Sequence, residues 1–197
     1  MIIGLDFDNT IVCYDKAISV LAAEHLDLPA DLPRTRLAIR DHLRGLGREA
    51  DWTRFQGVLY GPGMIHAEPF DDAIDVIREL TALQHELVVI SHRTRFPYLG
   101  ERHDLHGFAE GWIRERVPPL FASVAFNETK SDKIENIRRA RCCLFLDDLP
   151  EVLAHPAFPD STRRVLFAPN DFECDWRGEQ ITAWRDLIAV VQTGVAD

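Results

Sequence analysis

Three short apolar runs stop at residues that can do chemistry. Ile2–Leu5 leads into Asp6-Phe7-Asp8-Asn9-Thr10, Leu87–Ile90 into Ser91, and Cys142–Leu146 into Asp147-Asp148. A lone Asp-x-Asp is a weak signal, because acidic residues commonly end strands. Asp-x-Asp-x-Thr closing an apolar run at positions 6–10 is far more specific. Two carboxylates at that spacing on a strand terminus can address one site from neighbouring positions. Ser91 adds a hydroxyl suited to a phosphoryl oxygen, and Thr129-Lys130-Ser131-Asp132-Lys133 adds cations where a helix begins. Asn9 tolerates the tight backbone that must follow a strand. Asn9, Thr10, His92 and Arg93 flank these run ends and are candidate substrate contacts, with Arg93 able to grip an anion.

Convergence of Asp6, Asp8, Asp147 and Asp148 would place four carboxylates in one pocket, a costly arrangement unless cations balance it. A Mg²⁺ ion and one lysine would leave about one negative charge; without the metal at least one acid should keep its proton. An all-oxygen donor set favours Mg²⁺ over zinc or copper.

These residues need elements to hold them. The three runs, with Phe121–Phe126 and Val165–Ala168, are apolar at nearly every position, which predicts parallel strands buried on both faces. Helical spacing appears at Ala73, Ile74, Ile77 and Leu80; at Leu105, Phe108, Ala109 and Trp112; and at Trp184, Leu187, Ile188 and Val191. Ile134 and Ile137 follow a cap-like Ser131-Asp132. The alternation predicts an α/β fold, a three-layer Rossmann-like parallel sheet whose ligands gather at the carboxyl ends of its strands. From about 14 to 68 the alternation fails. Helical pattern there is broken by Pro29, Pro33 and Gly61-Pro62-Gly63, predicting a small inserted helical module between a 1–13 segment and a 69–197 segment.

The ordered set Asp6–Thr10, Leu87–Ser91, a lysine at a helix start and Phe145–Asp148 resembles the haloacid dehalogenase-like (HAD) hydrolase superfamily over nearly the whole chain. That resemblance implies a five-stranded sheet in the order 5-4-1-2-3, with the inserted module as a cap closing over the site. It implies Asp6 as the nucleophile that becomes an aspartyl-phosphate, and Asp8 as the acid to the leaving oxygen and then the base for water. Ser91 would bind the transferring phosphoryl group. Asp6, the Asp8 backbone carbonyl and Asp148 would hold Mg²⁺, with Asp147 supporting. Lys130, with Ile134 and Ile137 at +4 and +7, is similar to the family's Lys-xxx-Ile-xx-Ile pattern and is the preferred neutralising lysine. Lys133, within the helix, is the alternative motif lysine or else a solvated side chain.

The leading expectation is a Mg²⁺-dependent phosphatase of a small phosphorylated metabolite. Transfer of the phosphoryl group to another hydroxyl, as in a phosphomutase, is the main alternative. The paired acids and Gly111-Trp112 loosely resemble the 5′-nucleotidase branch. A dehalogenase would not need Asp8, and a non-catalytic binding relative would not need every chemical residue type.

Composition narrows the partners. Twenty-two Lys and Arg against 32 Asp and Glu give a net charge of −10, which discourages a nucleic-acid polymer or an anionic membrane surface. No apolar run approaches the ~18 residues of a membrane span. Four cysteines without a Cys-xx-Cys pair, and no signal-like N-terminus, fit a reducing cytoplasm. His103-xx-His106 lacks a third metal ligand, Arg95 reads as a solvated loop residue, and Glu151 suits a helix N-terminus. Trp52, Phe55 and Tyr60 suit the small core of the inserted module.

Overall fold

A computed structural model describes residues 1–169 and 175–193; Cys174 lies outside them. In chain order the elements are β1 Ile2–Leu5, β2 Val12–Cys13, α1 Asp15–His25, α2 Arg36–Gly45, α3 Glu49–Leu59, a 3-10 turn Pro62–His66, β3 Glu68–Pro69, α4 Ala73–Ala82, β4 Glu86–His92, α5 Leu105–Arg116, β5 Phe121–Asn127, α6 Lys130–Ala140, β6 Leu144–Asp147, α7 Pro150–Leu153, β7 Arg163–Phe167, β8 Glu179–Ile181 and α8 Asp186–Thr193.

Six strands form one sheet in the order β5-β4-β1-β6-β7-β8, every pairing parallel, and β2 and β3 form a separate ribbon. The five predicted strands take the expected order, and β8 is added beyond them. Its Glu179-Gln180-Ile181 buries only one apolar side chain, so it carries no hydrophobic pattern. A bidentate pair between Arg163 and Glu179, at 2.6 and 2.7 Å, holds it against β7 instead. β5 also departs from expectation. It is the edge strand, and Ala122, Ser123 and Val124 are exposed although the run reads as buried.

Strand alternation sends Val88, Ile90, Phe145 and Leu166 into a core with Ile134 and Ile137 of α6 and Leu153 of α7. The intervening Leu87, Val89, Leu146 and Val165 are equally buried, and α4 packs on β4 and α8. β1 lies at the centre between β4 and β6. Gly4 is required there: a Cβ at that position would fall on Phe145 Cδ2 and lie 2.8 Å from Cys142 Sγ.

The chain clusters into two compact units. The first comprises Met1–Val12, Pro69–Arg93 and Pro119–Asp197, and holds the sheet. The second comprises Cys13–Glu68 and Thr94–Pro118. Residues 94–118, which a boundary at 69 assigns to the sheet-bearing part, therefore group with the insert. Close packing explains this: a Cβ on Gly57 of α3 would come within 2.9 Å of Pro97 Cβ, and Trp112 Nε1 of α5 donates to the Ala67 carbonyl at 3.0 Å. Trp52 and Phe55 are buried in this second unit, and Tyr14 and Tyr60 stack edge-on at 5.1 Å between ring centres. No helix among the described residues is long and apolar enough to cross a membrane.

Candidate active site

β1 delivers its last residues to the middle of the sheet, and Asp6 follows at once, its N–H donating to the Leu146 carbonyl at 2.9 Å. The backbone then turns tightly. Ile11 and Val12 both donate to the Phe7 carbonyl at 3.0 Å, and Asn9 has φ 57°, the left-handed region that Asn tolerates. Trp184, buried, donates its Nε1 to the Thr10 carbonyl at 2.9 Å and pins the turn from the far end of the chain. Thr10 is fully buried, with its hydroxyl 3.5 Å from Asp6 Oδ2, which sets it beside the carboxylate rather than in the open.

The lysine that reaches the acids is Lys133, not Lys130. Lys133 Nζ lies 2.6 Å from both Asp6 Oδ1 and Asp147 Oδ2, and its side chain is 1% exposed. Lys130 is 42% exposed and pairs with Glu151 at 3.1 Å. Helix geometry is the reason. The N-cap is Thr129, whose Oγ1 accepts from Asp132 N at 3.0 Å, two residues earlier than Ser131-Asp132 suggests. Lys130 is thus the first helical residue. Helical side chains lean toward the N-terminus, so Lys130 projects past the helix end while Lys133, one turn in, leans back over the strand ends.

Ser91 is buried near the end of β4, and its Oγ has no hydrogen-bond partner among the described residues. Its carbonyl accepts from Asn127 Nδ2 at 2.9 Å. Asn127 ends β5, receives a hydrogen bond from Asn136 of α6 on Oδ1, and accepts the Arg93 N–H on its own carbonyl at 2.8 Å. One buried amide so ties together β4, β5 and the helix that carries Lys133. The sequence does mark Asn127, which ends the Phe121–Phe126 run as Asp6 and Ser91 end theirs.

Arg93 is buried and donates from Nη1 to Asp8 Oδ1 at 2.6 Å. It therefore faces the second acid of the Asp6–Thr10 segment, whereas Arg95 is exposed and pairs with Asp104. His92 is half-buried at the end of β4, and burial lowers its pKa. His103 pairs with Glu101 and belongs to no cluster of metal-ligating groups among the described residues.

Asp6, Asp147 and Asp148 each offer a carboxylate oxygen, all within 4.8 Å of one another, so these three fit a divalent cation. Asp8 is turned to Arg93 and offers no side-chain oxygen to that group. The charge balance agrees: four carboxylates against Lys133 and Arg93 leave two negative charges, which one divalent cation would offset. Burial drives the Asp6 carboxyl up to about 7 against the pull of Lys133, and it raises Asp147 in the same way. Burial opposes the Lys133 charge as well, yet Asp147 and Asp6 hold its ammonium above the ordinary lysine range. Without a cation, an acid of the cluster keeps a proton near neutrality.

No protein-family model and no curated protein matches this sequence. Solved structures match it along its length. The HAD-hydrolase YfnB from Bacillus subtilis, whose structure is bound to magnesium, is 13% identical with a TM-score of 0.62, covering 96% of this chain and 97% of its own. A predicted phosphatase from Clostridium acetobutylicum is 10% identical with a TM-score of 0.63, covering 98% of each chain. This chain has the HAD fold. A dehalogenase, 11% identical with a TM-score of 0.59 and 95% of each chain covered, shares it. The HAD fold at such identities is a scaffold, so chemistry must be argued from the residues at its strand ends.

Proposed function

We propose that the protein is a Mg²⁺-dependent phosphatase that hydrolyses a small phosphomonoester through an aspartyl-phosphate on Asp6. The observation that carries this is the buried lysine bridging Asp6 and Asp147 beside Asp148, with Asp8 two residues from Asp6. Phosphate-monoester hydrolysis is among the slowest uncatalysed reactions, and its catalysis is chiefly positioning and charge neutralisation.

An Asp6 carboxylate oxygen attacks phosphorus in line. The phosphorus–oxygen bond to the leaving alcohol breaks, and Asp8 passes its proton to that oxygen. Water then attacks the aspartyl-phosphate while Asp8 takes up one of its protons, releasing inorganic phosphate and restoring both acids. Ser91 Oγ donates to a phosphoryl oxygen, and Lys133 offsets charge on nucleophile and phosphate. Asp6, Asp148 and the Asp8 carbonyl would hold Mg²⁺, with Asp147 supporting; when bound it neutralises the phosphoryl charge that approaches two acids. Asn9 and His92 would contact the remainder of the substrate.

Asp8 argues against a dehalogenase, whose aspartyl ester needs no acid for the leaving halide. A phosphotransferase would use the same first step and differ only in the acceptor. The test is a screen of phosphomonoesters with and without Mg²⁺, reading free phosphate and product identity. Mg²⁺-dependent phosphate release that disappears in Asp6→Asn supports the reading. Full activity in a folded Asp6→Asn protein overturns it, and a phosphorylated second product in place of free phosphate replaces hydrolysis with transfer.

A further inference from the structure

Arg93 is held at its backbone, at Nη1 and across the face of its guanidinium. Its backbone N–H donates to Asn127, its Nη1 donates to Asp8 Oδ1, and its Cζ lies 5.8 Å from the centre of the buried Phe7 ring. Phe7 is itself fixed edge-on against Phe126, with ring centres 5.5 Å apart. The Arg93 side chain is 3% exposed and that of Asp8 18%. An arginine kept for gripping a substrate anion would stand open at the mouth of the site, as Arg95 stands open at 54% on its own loop. Burying a guanidinium is costly, and here its partner is the residue assigned to proton transfer.

We propose that Arg93 is a positioning residue for Asp8, aligning that carboxyl with the leaving oxygen rather than binding the substrate. The proposal rests on the phosphatase reading above. The guanidinium is a rigid planar donor, so its contact with Oδ1 holds that carboxyl oxygen in place more firmly than the flexible ammonium of a lysine would. Displacement of a proton donor by ~1 Å costs about 100-fold in rate. That cost falls on substrates whose leaving oxygen must be protonated, and an acidic phenol largely escapes it.

The experiment compares wild type, Arg93→Met and Arg93→Lys on an alkyl phosphate and on p-nitrophenyl phosphate, with Mg²⁺ present. For Arg93→Met, kcat should fall about 100-fold with the alkyl ester and under about 10-fold with the aryl ester, KM changing little. Arg93→Lys should lie between, with the same bias; because it keeps the buried charge, it carries the comparison if the Met variant does not fold. In an Asp8→Asn background, Arg93→Met should cost the residual aryl activity almost nothing further. Equal losses on both esters, a raised KM at unchanged kcat, or an undiminished loss on the Asp8→Asn background each overturn the proposal alone. No turnover by the wild type on any phosphomonoester overturns the phosphatase reading and this proposal with it.

Discussion

Lys133 Nζ lies 2.6 Å from Asp6 Oδ1 across 127 positions of sequence, both side chains at least 95% buried. Asp147 shares the same ammonium at the same distance. The contact joins the residue after the central strand to the first turn of α6 and ties the helix to the sheet. A buried charge is tolerated only with its partners in place, which makes this bridge a structural tie.

Substituting the two lysines separately should therefore give opposite results. Lys133→Met removes one partner of a buried network and should cost about 3–5 kcal/mol in a urea titration. It should also lower kcat/KM at least about 100-fold. Lys130→Ala removes an exposed pair with Glu151 and should change stability by less than about 0.5 kcal/mol. Loss of turnover in Lys130→Ala with full activity in Lys133→Met would reverse the assignment.

The raised Asp6 carboxyl predicts an unusual pH slope. Its pKa rises from an ordinary 3.8 to about 7 in the folded chain, mainly through burial, so between those values the native state binds more protons than the unfolded chain. Stability from this group accordingly falls as pH rises through that window. Thermal melts in chelator should show Tm dropping between pH 5 and 7 (roughly one window of titration). Adding Mg²⁺ should restore more Tm at the upper end, since ligand and proton compete for the same oxygens. Asp6→Asn should flatten the slope; an unchanged slope would assign it to other groups.

Much of this was legible in the residues, and the failures have physical causes. Asp6, Ser91 and Asp147 could be placed at strand ends because buried parallel strands are apolar throughout and stop abruptly at polar residues. β8 was not, because an arginine–glutamate clamp rather than apolar burial holds it. Lys130 and Lys133 are indistinguishable by type and both neighbour the Ile134/Ile137 stripe; only the cap at Thr129 decides which one leans inward. Arg93 reads as a grip for a substrate anion, since its pairing with Asp8 spans 85 positions and no local pattern records it.

Gly4 sits two residues before Asp6 with no room for a side chain. Gly4→Ala should force β1 away from Phe145 and cost about 1–3 kcal/mol, the usual range for overpacking. Paired substitution with Phe145→Leu should recover part of that loss in the same denaturation assay. Additive losses would show that the two sites do not share the strain.

Asn127 gives the most discriminating test of how the site is held. Its Nδ2 donates to the Ser91 carbonyl at 2.9 Å, and its Oδ1 accepts from Asn136, one turn beyond Lys133. Asn127→Ala removes both side-chain links from a buried network, so stability should fall by about 1–3 kcal/mol. Loosening Ser91 and α6 together should also lower kcat by about 10-fold or more. Asn127→Asp keeps the acceptor toward Asn136 but, when ionised, sets a carboxylate against the Ser91 carbonyl, and should be at least as damaging at pH 8. Asn136→Ala breaks only the helix link and should be the mildest of the three. Steady-state kinetics beside urea titrations will rank them, and a wild-type kcat in Asn127→Ala would mean that Ser91 is held by the strand ladder alone.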